Sequence, residues 1–250
     1  DLPLYEPVAA THKITPDLLQ RFLTDPVKYF FNERLKVYLD QTALEVYEDE
    51  PFALDGLQRF IVQRELLDAG RYAAADADFF EALQRRSEVL QRSGVLPLQA
   101  YGDQLRETLI EPLLPQLEHY RSYCQIWSQE ETTPRMIDLQ VEHVHLEGWL
   151  GGLRRATHQH PQETEYARIE LLPGKIYSGT ELRWHLLLRP WVQNVLLNAC
   201  GIQTQTLVFA QESSMMFVSI EQDSAIQIVR GWLEAWQQGM NAPLPVALKT

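Results

Sequence analysis

Glu170 lies in the run ARIELLPGK, which alternates as a strand does, and a lone carboxylate there can do hydrolytic work only in company. Cutting a phosphodiester with one or two divalent metals takes several carboxylates to hold the hard cation. It usually takes a lysine as well, to orient or activate the attacking water. Such a set is built on consecutive strands, an aspartate ending one and an acid-x-lysine on the next. The preceding segment here is LEGWLGGLRR, Leu146 to Arg155. Gly148 matches the glycine of a G-x-x-D segment, and Gly151 stands in the aspartate's place. On the following strand Glu170 offers the acid, but Leu172 occupies the lysine position, and Lys175 falls out of register behind Pro173-Gly174. One acid without its partners cannot hold a metal against hydration.

This is the pattern of a PD-(D/E)xK nuclease with its chemistry taken out. Gly148, Gly151, Glu170 and Leu172 form an emptied site, and no catalytic residue, metal or cofactor is expected. The competing reading is an active metal-dependent nuclease in which Glu170 works with other acids, for example Glu147 and Glu142. A third is a protein–protein docking module without DNA contact. Whether Glu170 shares a pocket with a second carboxylate separates the first two.

Other chemistries fare worse. His143 and His145 alternate on one strand and His158 and His160 flank a turn, but without an acidic partner at fixed spacing they read as surface histidines. There is no G-x-S-x-G elbow and no G-x-x-x-x-G-K-[ST] loop. Trp184/Trp191 and Trp232/Trp236 are spaced seven and four apart, so each pair shares a helical face, and core packing explains them better than base stacking. Cys124 and Cys200 lie far apart with no zinc-ligand spacing, so neither a metal site nor a disulfide framework is expected.

The elements that must position these residues are legible in outline. Thr15-Pro16-Asp17 reads as a helix start, and Pro26 divides the stretch from there to Leu39 into two helices in tandem. The second should be mostly buried through Val27, Tyr29, Phe30, Phe31, Leu35, Val37 and Tyr38. A helix capped by Asp55 and stopped by Gly70 comes next, then Asp76 to Ser93 and Tyr101 to Gln125, with prolines at 112 and 115. Strands are expected near Met136–Leu146, Trp149–Ala156, Glu165–Leu171, Thr206–Gln211 and Met215–Ile220. A helix Thr180–Cys200 separates the third from the fourth, and Ser224–Gly239 closes the pattern. The fold class expected is α/β, a PD-(D/E)xK restriction-endonuclease-like single mixed sheet with an added helical subdomain. The division is 1–134, helical lobe, and 135–250, nuclease-like α/β core.

A chain of 250 residues with 45% hydrophobic content can bury a proper core, and its net charge of −12 argues against free-standing, non-specific DNA binding. Between Gly151 and Cys200, however, basic residues outnumber acidic ones. Arg154, Arg155 and Arg168 flank the polar tip Thr157–Thr164 and are the candidates for contacting phosphates if that tip wedges between DNA strands. No apolar run reaches membrane-spanning length and no secretory leader opens the chain, so a cytoplasmic, membrane-free protein is expected.

Three segments carry a resemblance beyond pattern. DPVKYFFNERLKVYL (Asp25–Leu39), EDEPFALDGLQRFIVQRELL (Glu48–Leu67) and GWLEAWQQGMNAPLPV (Gly231–Val246) resemble, in order, the C-terminal part of RecC, the gamma subunit of exodeoxyribonuclease V, the RecBCD enzyme. Asp25 and Lys28 depart conservatively from the family's H-P-V-R-x-F-F run. The resemblance implies an inactivated nuclease-like domain of a longer chain, lacking here its helicase-like front and extreme C-terminus. It implies that the domain scaffolds the complex, contacts RecB-like and RecD-like helicase subunits and guides or splits duplex and forked DNA in double-strand break repair and recombination.

Overall fold

A computed structural model describes residues 12–38, 54, 56–73, 78–96, 107–156 and 165–246. The expected start at Thr15 is there: its side chain accepts from the Leu18 amide, Pro16 takes the first turn, and α1 runs Pro16–Thr24. Asp25 then caps α2 (Pro26–Tyr29), accepting from the Lys28 amide at 2.9 Å, and α2 runs on into a π-helical turn, Phe30–Arg34. The burial expected of Val37 and Tyr38 is not found. They are 43% and 66% exposed, because Lys36 adopts a left-handed φ of 55° and turns the chain off the helix.

Helices α3 (Gly56–Arg71), α4 (Phe79–Arg92) and α5 (Leu114–Ile126) come next. The expected cap at Asp55 lies outside the described residues. Asp78, not Asp76, starts α4, its carboxylate accepting from the Phe80 amide at 2.8 Å. Val62, Leu66, Leu67, Leu83, Leu113 and Leu117 give these helices a core of their own.

The β-rich half departs from expectation in its pairing. What reads as one strand from Met136 to Leu146 is a hairpin, β3 (Arg135–Val141) and β4 (Val144–Leu150), turning at Glu142 with a φ of 50°. A non-glycine residue in that conformation is invisible to alternation, because Val141 and Val144 both read as strand. Trp149 therefore lies within β4 rather than opening a new strand. Strands not expected include β1 (His12–Ile14), parallel to β4, and β2 (Gln129–Glu130), antiparallel to β5 (Leu153–Arg155).

The single mixed sheet is also corrected, since the strands form separate hydrogen-bonded sheets. One has the order β1-β4-β3. The second, also mixed, has the order β10-β9-β6-β5-β2, where β6 is Tyr166–Leu171, β9 Thr204–Ala210 and β10 Ser213–Phe217. The break is local. Gly152, with a φ of 76°, redirects the chain after β4 so that β5 pairs with β6 and β2 instead of extending the first sheet. A small hairpin, β7 (Tyr177–Ser178) and β8 (Glu181–Leu182), takes up the expected start of the next helix at Thr180, and α6 begins at Trp184 and ends at Ala199.

Helix α6 links β6 to its parallel neighbour β9, as a crossover helix must. It covers one face of the larger sheet while α5 covers the other. On the α5 face Ala167, Ile169, Leu207 and Phe209 pack with Tyr120 and Trp127. The final helix α7 (Gln222–Asn241) lies on α6, and α1 packs against both through Leu19 and Phe22. Trp236 is buried here and Trp191 stacks on Phe217 at 5.3 Å, as core packing requires, but Trp184 is 54% exposed. Among the described residues no helix is long and apolar enough to cross a membrane.

Candidate functional site

Alternation along β6 sorts its residues by face. Ala167, Ile169 and Leu171 point toward α5, which leaves Arg168, Glu170 and then Leu172 toward α6. Arg168 is the central group. Its guanidinium donates to Glu170 Oε1 at 2.6 Å and to Gln193 Oε1 of α6 at 2.6 Å, and its side chain is only 8% exposed. Burial pulls this guanidinium below its ordinary value, while Glu170 opposes the shift and Arg189 and Arg71 add to it. Its Nε finds no acceptor among the described residues.

Of the four positions expected to form an emptied site, Glu170 is a member of this pair. The β5–β6 pairing begins at Leu153 opposite Arg168, and Gly151 lies before it, on the other side of the Gly152 turn. A Cβ at Gly151 would meet only Pro134 atoms, at 3.8 and 3.9 Å, so the position is open to a side chain that the sequence omits. Gly152 lies beside the same guanidinium, its Cβ position 3.9 Å from Arg168 Nε. Leu172 is plugged into an apolar cluster with Ile176, Leu187, Val208 and Ala210, and its carbonyl accepts from Gln116 Nε2 at 2.9 Å. Lys175 pairs instead with Glu212 at 2.7 Å.

Gly148 stands apart from this group. It lies in β4 opposite Ile137, where a Cβ would come 2.6 Å from Pro16 Cδ. Its glycine is explained by the docking of α1.

The acids proposed as helpers for Glu170 lie elsewhere. Glu147 pairs with Lys13 at 2.9 Å on the smaller sheet, and Glu142 sits in the β3–β4 turn. His145 contacts Asp138 at 2.7 Å on that sheet, and His143 is exposed in the turn. Among the described residues no group of three or more His, Cys, Asp or Glu side chains could hold a metal ion.

The three arginines are dispersed. Arg154 points toward α5, bound to Glu130 at 2.5 Å and to the Trp127 carbonyl. Arg155 donates to Tyr166, stacks on its ring and pairs with Glu131 at 3.1 Å and Glu165 at 3.2 Å. Arg168 is buried as described. The tip they flank, 157–164, lies outside the described residues, as do His158 and His160. Reading the sequence for carboxylates and lysines missed Arg168 as the partner of Glu170. Their spacing of two along a strand, which sets both on one face, was the signal that could have found it.

Residues 11–250 match the family model of the RecC C-terminal domain. The chain belongs to that family. It is 27% identical to the RecBCD enzyme subunit RecC of Escherichia coli (strain K12) over 243 residues, 96% of the chain and 19% of that protein. It is 32% identical to the subunit of the same name from Haemophilus influenzae (strain ATCC 51907 / DSM 11121 / KW20 / Rd) over 101 residues, 38% of the chain and 8% of that protein. This RecC C-terminal domain thus spans about a fifth of the length of its E. coli relative. The match embraces the segment that holds Arg168, Glu170 and Leu172.

Proposed function

We propose that this RecC C-terminal domain is a non-catalytic, nuclease-like module of a RecC-type subunit in an exodeoxyribonuclease V complex. The module scaffolds the assembly, meets RecB-like and RecD-like helicase subunits in the cytoplasm, and guides or splits duplex and forked DNA in repair and recombination. Its fold is read as a PD-(D/E)xK-like core, 135–250, with a helical lobe, 1–134, of which β1, α1 and α2 pack on the core.

The observation that carries the reading is the buried Arg168–Glu170 pair. A guanidinium meets the one acid that a metal would need, Gly151 supplies no carboxylate, and Leu172 supplies no amine. A positive charge that belongs to the chain leaves a divalent cation neither room nor ligands there.

A second reading has support of its own. Arg154, Arg155 and Arg168 are each already paired with a carboxylate, which favours protein docking over phosphate contact at those positions. Arg155, 42% exposed and two residues before 157, is the one of the three most open to a phosphate.

The test is incubation of the purified chain with linear DNA and magnesium or manganese, alongside reconstitution with the helicase subunits. No degradation and normal assembly are expected. Metal-dependent degradation that Glu170→Ala abolishes would overturn the reading.

A further inference from the structure

The larger sheet ends on one side at β10, and among the described residues no strand pairs with its far side. A two-residue turn joins it to β9, so the flanking pair Ala210 and Ser213 is hydrogen-bonded. Bonded and unbonded pairs then alternate, and Met215 and Phe217 bond to β9 while Ser214 and Met216 do not. The amides and carbonyls of Ser214 and Met216 therefore point outward. An edge in this state is a template for one more strand.

The other edges of the two main sheets are blunted. β2, at the opposite end of the larger sheet, is two residues long, and its Glu130 is tied to Arg154. In the smaller sheet β1 has Lys13 at its centre, and the Cys200 thiol bonds the Asp138 backbone of β3. β10 reads SSMMF, without charge or proline, and both of its faces offer apolar groups. On the α6 side Met215 packs with Leu187 and Val208, and Phe217 stacks on Trp191. On the α5 side Met216 lies opposite Leu207 and is 46% exposed, and Val218 just beyond the strand is 60% exposed.

Charge decides among the occupants. From Gly201 to Val229 the sequence has no lysine, arginine or histidine, and it has three acids. Glu212 at the turn pairs with Lys175 at 2.7 Å, which leaves Glu221 and Asp223, both exposed, past the other end. A nucleic-acid strand is repelled there. A second copy fares no better, because antiparallel pairing of β10 with itself sets the Glu212 end of one copy against the Glu221 end of the other.

We infer that β10 is the docking edge for an extended segment of another polypeptide, apolar at alternate positions and basic where it passes Glu221 and Asp223. Main-chain bonds to Ser214 and Met216 hold the segment, and the apolar groups around Phe217 and Met216 receive its alternate side chains. The inference deepens the scaffolding part of the proposed function and rests on it, since the segment belongs to one of the helicase subunits.

The experiment measures residue-resolved amide hydrogen exchange in the full chain alone and assembled with the RecB-like and RecD-like subunits. In the free chain β9 protects the Met215 and Phe217 amides, and those of Ser214 and Met216 exchange readily. Assembly should slow Ser214 and Met216 by about tenfold or more and leave the other two as they were. Met216→Pro removes an outward amide without touching the β9 ladder, and its ring stands in the way of an added strand. In its complex Ser214 should exchange at the free rate, and Ser214→Pro should free Met216 likewise. Protection of Met215 and Phe217 in each free variant checks that the hairpin is intact. Glu221→Gln with Asp223→Asn should cut the slowing by about threefold, as two exposed ion pairs are lost.

The inference is overturned if Ser214 and Met216 stay unprotected in the complex, or if they are already protected in the free chain, whose own segment then fills the edge. It is overturned too if Ser214 is slowed as much in a folded Met216→Pro complex, which would mean covering without pairing. Unchanged protection after Glu221→Gln with Asp223→Asn overturns the basic character of the segment. Any of these results with normal assembly leaves the scaffolding reading standing, whereas failure to assemble sinks both.

Discussion

Replacing Glu170 with alanine separates the two readings of this acid by the sign of its effect on stability. In a working metal site, carboxylates crowd together and repel, so removing one tends to stabilise the apo-protein at the expense of activity. Here Glu170 faces a guanidinium, and the effect reverses. Arg168 is 8% exposed and Glu170 26% exposed in their side chains, and the bond between them is 2.6 Å long. After Glu170→Ala the guanidinium keeps only Gln193 as an acceptor, with its Nε already unpartnered. Breaking a buried pair from one side costs about 3–5 kcal/mol. The lower end, about 3 kcal/mol, applies because water reaches the quarter-exposed carboxylate.

For a chain of this size, with a urea m value of about 3 kcal/mol/M, that loss lowers the unfolding midpoint by about 1 M. Equilibrium unfolding monitored by circular dichroism and tryptophan fluorescence reads it, and coincident curves guard the two-state treatment. Arg168→Met added to Glu170→Ala removes the stranded charge and fills its space. The double variant should recover to within about 1 kcal/mol of the parent, short by the donor that Gln193 has lost. A midpoint that rises or stays fixed in Glu170→Ala would refute the pairing argument, and so would a double variant less stable than the single one.

Gly148→Ala should lower the melting temperature, because its Cβ lands 2.6 Å from Pro16 Cδ and a proline ring cannot swing aside. The expected cost is about 1–3 kcal/mol, at about 2–4 °C per kcal/mol, and calorimetry showing no loss would contradict the close approach. Gly151→Asp should fold with a stability change under about 1 kcal/mol, since a Cβ there meets only Pro134 at 3.8 Å and beyond. Titration calorimetry of that variant should show no magnesium or manganese binding while Arg168 and Leu172 remain, and stoichiometric binding would refute the idea that the guanidinium fills the metal's place. Cys124 and Cys200 are both pushed up by burial, so their folded-state values lie above the unfolded thiol value of about 8.5. Their contribution is fully present below that pH and lost as pH rises through the folded values, so urea midpoints should be flat from pH 7 to about 8 and fall above it. A rise between pH 8 and 10 would contradict the shifts.

Where local chemistry decides, the sequence was enough. Thr15 and Pro16 start α1 as their types require, and α6 and α7 arise from apolar spacing. Pairing partners are another matter, because alternation fixes which face a residue takes but not which strand lies alongside. The β3–β4 turn rests on Glu142 in a conformation its type rarely adopts, and β1 gains its place only by lying parallel to β4 across more than a hundred residues. The separation of the two sheets turns on Gly152, which reads in the sequence as an ordinary glycine of a tight turn. Around Glu170, a glycine at 151 and a leucine at 172 were legible in the sequence. The pairing of Glu170 with Arg168 was not, because Arg168 reads as a surface residue until helices cover both faces of β6.

Polar contacts continue along α6 beyond Arg168. Three amides on that helix face the larger sheet. Gln193 accepts from Arg168, Asn194 accepts from the Thr206 hydroxyl at 2.9 Å and donates to the Val218 carbonyl, and Asn198 accepts from the Thr204 amide and the Ser219 hydroxyl. Asn194, Asn198, Thr204 and Thr206 are at most 2% exposed, so each unmade bond would cost about 1–3 kcal/mol. Apolar residues would pack here with less to satisfy but would let α6 slide along the sheet, whereas directional bonds from these three side chains fix its register against β6 and β9. In a metal-dependent nuclease the bound cation and its ligands help to fix the strands that carry them. In this RecC C-terminal domain the guanidinium of Arg168 and the three amides of α6 hold β6 and β9 against that helix.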